Sequence, residues 1–306
     1  MRIVSLLPSA TEIVCALGFR ESLVARSHEC DFPGDVEALP SVTRPRLDVQ
    51  GSSRQIHDRV TALARSADGV YALDVESIRA LSPTHIVTQA QCDVCAVGMA
   101  DVERALAGWP EDPPAVAALH PSDLRAVLED IRRTGAFLGA EGAAAGVIER
   151  MADRFDAVRR GSGAGERPRV ALLEWTDPLM GAGNWMPELV RIAGGEPVLG
   201  IAGRHSAWIS ADDLEEADPD VIVVVPCGFD LVRAAAELRA LAAHPRFRGL
   251  RAVRSGRAFA ADGNAYFNRP GPRLADSAEI LAEIFAEVPA RRGAAWRSLE
   301  DVCGSF

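Results

Sequence analysis

One short unit occurs twice, and it constrains the fold more than any other feature of the chain. The segment Ser77-Ile78-Arg79-Ala80-Leu81-Ser82-Pro83-Thr84-His85-Ile86-Val87 is echoed by Asp213-Leu214-Glu215-Glu216-Ala217-Asp218-Pro219-Asp220-Val221-Ile222-Val223. Each copy reads as a short helix, a proline turn and a β-branched run. Proline stops a helix, and a continuous Val/Ile run too short to be helical suits a strand buried on both faces. A helix–strand unit present once in each half predicts an α/β fold with two lobes, each built on a parallel sheet.

The rest of the hydrophobic pattern extends that reading. Apolar runs near residues 2–7, 22–26, 69–73, 84–88 and 114–118 are predicted strands of the first lobe. Those near 168–174, 196–199, 220–226 and 257–261 belong to the second, with helices in the gaps. A chain of 306 residues exceeds the usual size of one core, which again favours two. Ser9-Ala10-Thr11-Glu12 has capping-box spacing at the start of a helix that Gly18 closes. Pro121-Ser122-Asp123-Leu124 opens a long helical stretch with Leu124, Val127, Leu128 and Ile131 on one face, and Gly135 and Gly139 predict a break in it. The expected division is an α/β lobe over 1–120, a linking helical segment over 121–165 and a second α/β lobe over 166–306.

A formal charge of −10 excludes a general nucleic-acid binder, whose affinity rests on concentrated Lys and Arg. The Arg-rich stretch Arg150–Arg169 is interrupted by Gly161, Gly163 and Gly165, and reads as a solvated connection between lobes. Met1-Arg2 leads straight into the first predicted strand, so the chain as written is expected to be cytoplasmic, or periplasmic if a leader was removed. No run approaches the roughly 18 apolar residues that span a bilayer, so membrane insertion is not expected.

In open α/β sheets, ligands bind beyond the carboxyl ends of the strands. The candidate ligand-binding residues at such places are Ser5, Pro8, Trp175, Trp185, Phe229, Asn264, Tyr266 and Phe267. Aromatic side chains there give flat contact area at low entropy cost, which suits a broad, partly apolar ligand such as a corrin or porphyrin-like ring. The alternative for each ring is that it caps the core of its own lobe. A second set, His28, Cys30, Cys92, Cys95 and Cys227, also follows predicted strands. Imidazole and thiolate are ligands of zinc and iron, and Cys92-x-x-Cys95 can chelate from one turn. Thiol redox chemistry and ordinary packing are the competing readings of the same residues. Gly181-x-Gly183 lacks the third glycine of a dinucleotide loop, and no Ser/His/Asp set or phosphate-cradling loop is present.

The chain resembles, over nearly its whole length, the cobalamin and iron-siderophore solute-binding proteins of ABC importers. The residues that carry the likeness are Arg2-Ile3-Val4-Ser5-Leu6-Leu7-Pro8-Ser9-Ala10-Thr11-Glu12, Leu81–Val87, Glu188–Gly195, Ile209-Ser210 with Asp212-Asp213-Leu214, and Tyr266-Phe267-Asn268-Arg269-Pro270-Gly271-Pro272-Arg273. The resemblance implies two Rossmann-like lobes joined by one long helix, as in class III periplasmic binding proteins. It implies cobalamin or a related corrinoid held between the lobes, with an aromatic residue of the Tyr266 loop against the corrin. It also implies an ABC importer permease as partner for an exported protein, with Glu103 near the position of one docking acid.

Three functions follow as expectations. The first is non-catalytic binding of a corrinoid as a solute-binding or carrier protein. The second is a metal-dependent or thiol-based enzyme on the same fold, using the Cys/His set. The third is a siderophore or metal-chelate binder, for which Arg44, Arg46, Arg204, Arg269 and Arg273 would supply cationic groups.

Overall fold

The computed structural model describes residues 1–64, 69–90, 97–109, 112–163 and 165–303. The chain divides into two compact units. The first comprises Met1–Gly51, Gln55–Pro121 and Arg125–Glu149, and the second comprises Ser52–Arg54, Ser122–Leu124 and Arg150–Phe306. The segment expected as a separate linker is thus shared between them.

The first unit holds strands β1 (Ile3–Ser5), β2 (Leu23–Ala25), β3 (Thr43–Pro45), β4 (Tyr71–Leu73), β5 (His85–Gln89) and β6 (Ala115–Leu119). Four of them form a parallel sheet in the order β2-β1-β5-β6. The apolar run near 69–73 does not join it: β4 pairs antiparallel with β3, a strand that no apolar alternation announces. Helices α1 (Pro8–Ala16), α2 (Ser53–Ala64), α3 (Val75–Ala80) and α4 (Met99–Leu106) lie between the strands in sequence. Val4, Leu6, Ala25, Val42, Ile78, Ile86 and Val102 make the core.

Helix α1 starts two residues earlier than its Ser-x-x-Glu spacing suggests. Pro8 takes the first helical position, where its missing N–H is no loss, and Leu7 stands at the cap with no side-chain bond. Ser9 and Glu12 are buried instead of forming a capping box.

Helices α5 (Leu124–Leu138) and α6 (Glu141–Gly161) follow. The break falls at Gly139, while Gly135 lies inside α5, where a Cβ would come within 2.4 Å of the Ala144 Cβ. α6 is the long helix that begins in one unit and ends in the other.

The second unit is a mixed sheet. Its parallel core is β9 (Glu196–Val198), β7 (Arg169–Thr176), β11 (Val221–Val224) and β12 (Ala258–Ala261). Antiparallel strands β8 (Leu179–Gly181), β10 (Ala207–Trp208) and β13 (Trp296–Ser298) extend it. Every residue of β11 is fully buried, as a central parallel strand with both faces covered requires. Helices α7 (Met186–Ile192), α8 (Ala211–Ala217), α9 (Leu231–Ala243), α10 (Arg251–Arg254), α11 (Leu274–Ala286) and α12 (Leu299–Cys303) complete it.

The duplicated unit keeps its geometry in both copies. Asp74 caps α3 by accepting from the Ser77 N–H, and Ser210 caps α8 by accepting from the Asp213 N–H. Each helix is followed by a left-handed residue just before the proline, Ser82 at φ 45° and Asp218 at φ 32°. The strands then enter parallel ladders, β5 beside β1 and β11 beside β7. The Gly181-x-Gly183 pair has a packing role: a Cβ would meet the Leu199 carbonyl at 1.9 Å or the Arg204 carbonyl at 2.3 Å.

Candidate ligand-binding residues

In the second unit the sheet topology brings most of the expected ligand-binding residues to the carboxyl ends of β7, β11 and β12. Trp175 meets Phe229 edge to face, with ring centroids 5.2 Å apart. Trp175 Nε1 donates to the Asp177 carbonyl at 3.2 Å, which fixes the indole. The loop after β11 is tied to the turn after β12 by the Asn264 N–H, which donates to the Phe229 carbonyl at 3.0 Å. That turn, Gly263–Phe267, is a single π turn closed by the Asn268 N–H on the Gly263 carbonyl, a geometry that recurs at functional sites. Asn268 Nδ2 also donates to the Val225 carbonyl at 3.0 Å, locking the turn to the end of β11. Gly263 is obligatory here, because a Cβ would lie 2.3 Å from the Pro226 carbonyl oxygen.

The aromatic set separates by burial. Phe267 is fully buried and Trp185 nearly so, joined by a bond from Trp185 Nε1 to the Phe267 carbonyl at 3.0 Å. Their rings therefore pack the second unit and offer no open face, the alternative that loop aromatics always carry. Trp175 and Phe229 are buried as well, at 8% and 3% exposed. Tyr266 is half-buried, with the Arg273 guanidinium 5.6 Å from its ring centroid.

Arg233 is a member that sequence reasoning missed: its guanidinium lies 3.8 Å from the Phe229 ring centroid. The four-residue spacing from Phe229 is the only signal that could have found it. Arg269, considered only as a chelate cation, is buried and donates to Asn264 Oδ1 at 3.1 Å. Glu174, next to Trp175, accepts from the Ser206 hydroxyl. Burial pushes its carboxyl above the usual range, against the opposing pull of Ser206 and His205. Cys227 is half-buried, and its N–H donates to the Glu174 carbonyl at 3.2 Å.

In the first unit Ser5 is fully buried at the end of β1, with its Oγ 2.8 Å from Thr11 Oγ1. Thr11 Oγ1 also contacts Cys30 Sγ at 3.0 Å, and Cys30 is only 1% exposed. These three close a polar chain inside the unit, so Ser5 and Cys30 do not present their side chains to solvent. Pro8 is half-buried at the start of α1.

His28 differs. Its ring Nδ1 lies 2.7 Å from Thr43 Oγ1, and its backbone N–H donates to the same oxygen at 3.0 Å. The Thr43 and Ser27 hydroxyl oxygens lie 3.0 Å apart, so ring and hydroxyls form one hydrogen-bonded row that anchors the imidazole through Nδ1. Burial, with Arg26 second, lowers the His28 pKa below its ordinary value and keeps the ring neutral. Tyr71 packs against the imidazole with centroids 5.5 Å apart.

Among the described residues no three His, Cys, Asp or Glu side chains come together as a metal site. Cys92 and Cys95 lie outside the described residues.

A profile of the periplasmic binding protein family matches residues 3–265. The chain belongs to that family. It is accordingly a solute-binding protein. Solved structures agree on the fold. The periplasmic heme-binding protein RhuT from Roseiflexus sp. RS-1 is 24% identical, with a TM-score of 0.68 over 94% of this chain and 98% of that one. A periplasmic heme-binding protein from Pseudomonas aeruginosa is 23% identical, with a TM-score of 0.67 over 94% and 93%. The periplasmic vitamin B12-binding protein BtuF of Vibrio cholerae is 19% identical, with a TM-score of 0.62 over 94% and 98%. No curated protein matches the sequence. Family membership does not support the cytoplasmic expectation drawn from the first residues, since the family is named for periplasmic proteins. Among the described residues no helix is long and apolar enough to cross a membrane.

Proposed function

We propose that this solute-binding protein takes a metal-centred tetrapyrrole, cobalamin or a related corrinoid, with His28 Nε2 as ligand to the metal. The observation that carries the reading is the anchoring of the His28 ring: Thr43, itself bonded to Ser27, holds it by Nδ1, which leaves Nε2 as the nitrogen for a metal. A neutral imidazole with a directed lone pair is what replaces water on cobalt(III) or iron(III). Tyr266 offers the apolar contact that a macrocycle needs, with the Arg273 guanidinium 5.6 Å from its ring centroid, and the buried Trp175–Phe229 pair packs at the neighbouring strand ends.

The same imidazole serves heme, which is named for RhuT and for the Pseudomonas aeruginosa protein. The reading implies an ABC importer permease as partner, with Glu103 on α4 as a docking acid.

The test is a titration with hydroxocobalamin, cobinamide and hemin, followed in the visible spectrum. A band shift that saturates with one of them and is lost in His28→Ala supports the reading, and the macrocycle that gives it names the ligand. No spectral change with any of the three overturns it.

A further inference from the structure

We infer that the second unit carries a separate anion site, built by arginines at the amino ends of its parallel strands, for a compact ligand bearing phosphate groups. Arg159, Arg167 and Arg191 line one cavity of about 530 Å³ together with Glu188, Leu124 and Gly194, all within the second unit. Arg167 stands two residues before β7, and Gly194 two residues before β9. Because β7 and β9 run parallel from that end, the cavity lies opposite the carboxyl ends that carry Trp175 and Phe229. The site is therefore distinct from the proposed tetrapyrrole residues and does not depend on that reading.

The charges at the cavity are unbalanced. Arg159 pairs with Asp156 at 2.7 Å. The Glu188 carboxylate accepts from the Leu124 N–H at 2.8 Å and keeps its charge, so the three guanidiniums outnumber the Glu188 and Asp156 carboxylates by one. The Arg167 and Arg191 side chains form no ion pair or hydrogen bond among the described residues, on a chain whose formal charge is −10. Arg159 and Arg191 each sit in the last turn of a helix, where the negative helix end favours a cation in any protein. That explanation does not reach Arg167, which is on the loop before β7 and lines the same space. The excess of positive charge and the two unpaired guanidinium forks in one lining suit an oxyanion that accepts from several N–H groups at once. The volume has room for a pyrophosphate or a phosphorylated metabolite rather than a single water-sized ion.

The experiment is calorimetric titration of the full chain with pyrophosphate, at low and at moderate salt, beside Arg167→Gln/Arg191→Gln. Both side chains are exposed, so the variant is expected to keep the wild-type circular dichroism and thermal midpoint. Its pyrophosphate affinity is expected to fall about tenfold or more, as for loss of charge-assisted bidentate contacts. A parallel sedimentation with phosphatidylglycerol vesicles tells a lipid phosphate from a soluble one: Arg-dependent binding to vesicles alone assigns the phosphate to a lipid. Heat equal to that of sodium chloride at the same ionic strength, with no Arg-dependent vesicle binding, overturns the site. So does equal pyrophosphate affinity in wild type and variant.

Discussion

Trp175 and Phe229 meet at 64° with their ring centroids 5.2 Å apart, so that the last aromatic of β7 is held by the loop after β11. The pair separates packing from ligand contact. Phe229→Ala removes a ring that is only 3% exposed and lies under the Arg233 guanidinium, so it is expected to destabilise the protein by about 3–5 kcal/mol, read from the denaturant midpoint. Tyr266→Ala, at a half-buried position, is expected to leave the midpoint nearly unchanged and to weaken tetrapyrrole binding by about 1–3 kcal/mol. Equal losses of stability in the two variants would remove Tyr266 from the ligand surface.

The burial of His28 gives a pH signature. Its folded pKa lies below the ordinary 6.5, so in the window just beneath 6.5 the unfolded chain binds more protons than the folded one. Stability is therefore expected to rise with pH through that window, and the contribution is complete above the unfolded pKa. His85 is shifted in the same direction by burial, so the measurement is a difference. The stability slope between wild type and His28→Gln should part below pH 6.5 and run parallel above it. Identical slopes throughout would show that the His28 ring is not held neutral.

How much of this was legible in sequence depended on the kind of signal. The parallel strands β1, β5, β7 and β11 are continuous apolar runs and were placed to within two or three residues. Strands β3, β8, β10 and β13 were missed because each is antiparallel and only two or three residues long, too short for the period-two alternation of a half-covered strand to show. The carboxyl-end rule depends only on strand direction, and Trp175, Phe229 and Asn264 do lie beside one another at such ends. It does not tell which aromatic faces outward, and so Trp185 and Phe267 were read with Tyr266 although they are core. Thr43, which anchors the His28 ring through Nδ1, lies on a strand that had no signal.

The two left-handed residues of the duplicated unit are expected to respond differently to glycine. Both Ser82 and Asp218 bear the cost of positive φ that a Cβ imposes, about 1 kcal/mol each. Ser82 is exposed and its hydroxyl makes only a 3.4 Å contact to the Arg79 carbonyl, so Ser82→Gly should stabilise the protein by about 0.5–1 kcal/mol. Asp218 accepts from the Arg251 N–H at 2.8 Å and pairs with its guanidinium at 3.3 Å. Those bonds are lost in Asp218→Gly, and its midpoint should stay at or below the wild-type value. A gain in Asp218→Gly equal to that in Ser82→Gly would mean that the Arg251 contacts contribute nothing.

Gly263 tests whether the turn bearing Tyr266 depends on the end of β11. A Cβ at this position would lie 2.3 Å from the Pro226 carbonyl oxygen and 2.8 Å from both Val225 carbonyl atoms, all of them backbone that a rotamer change cannot move. Gly263→Ala must therefore shift the turn away from β11. The Asn268 Nδ2 bond to Val225 and the Asn264 bond to Phe229 span that same junction and would lengthen with it. The expected result is a loss of about 1–3 kcal/mol in stability, as for overpacking, accompanied by weaker tetrapyrrole binding because Tyr266 rides on the displaced turn. Asn268→Ala removes the polar tie without the clash, and should reproduce the binding defect at a smaller cost in stability, about 1 kcal/mol. Unchanged binding in both variants would show that the position of the turn relative to β11 does not matter for the ligand.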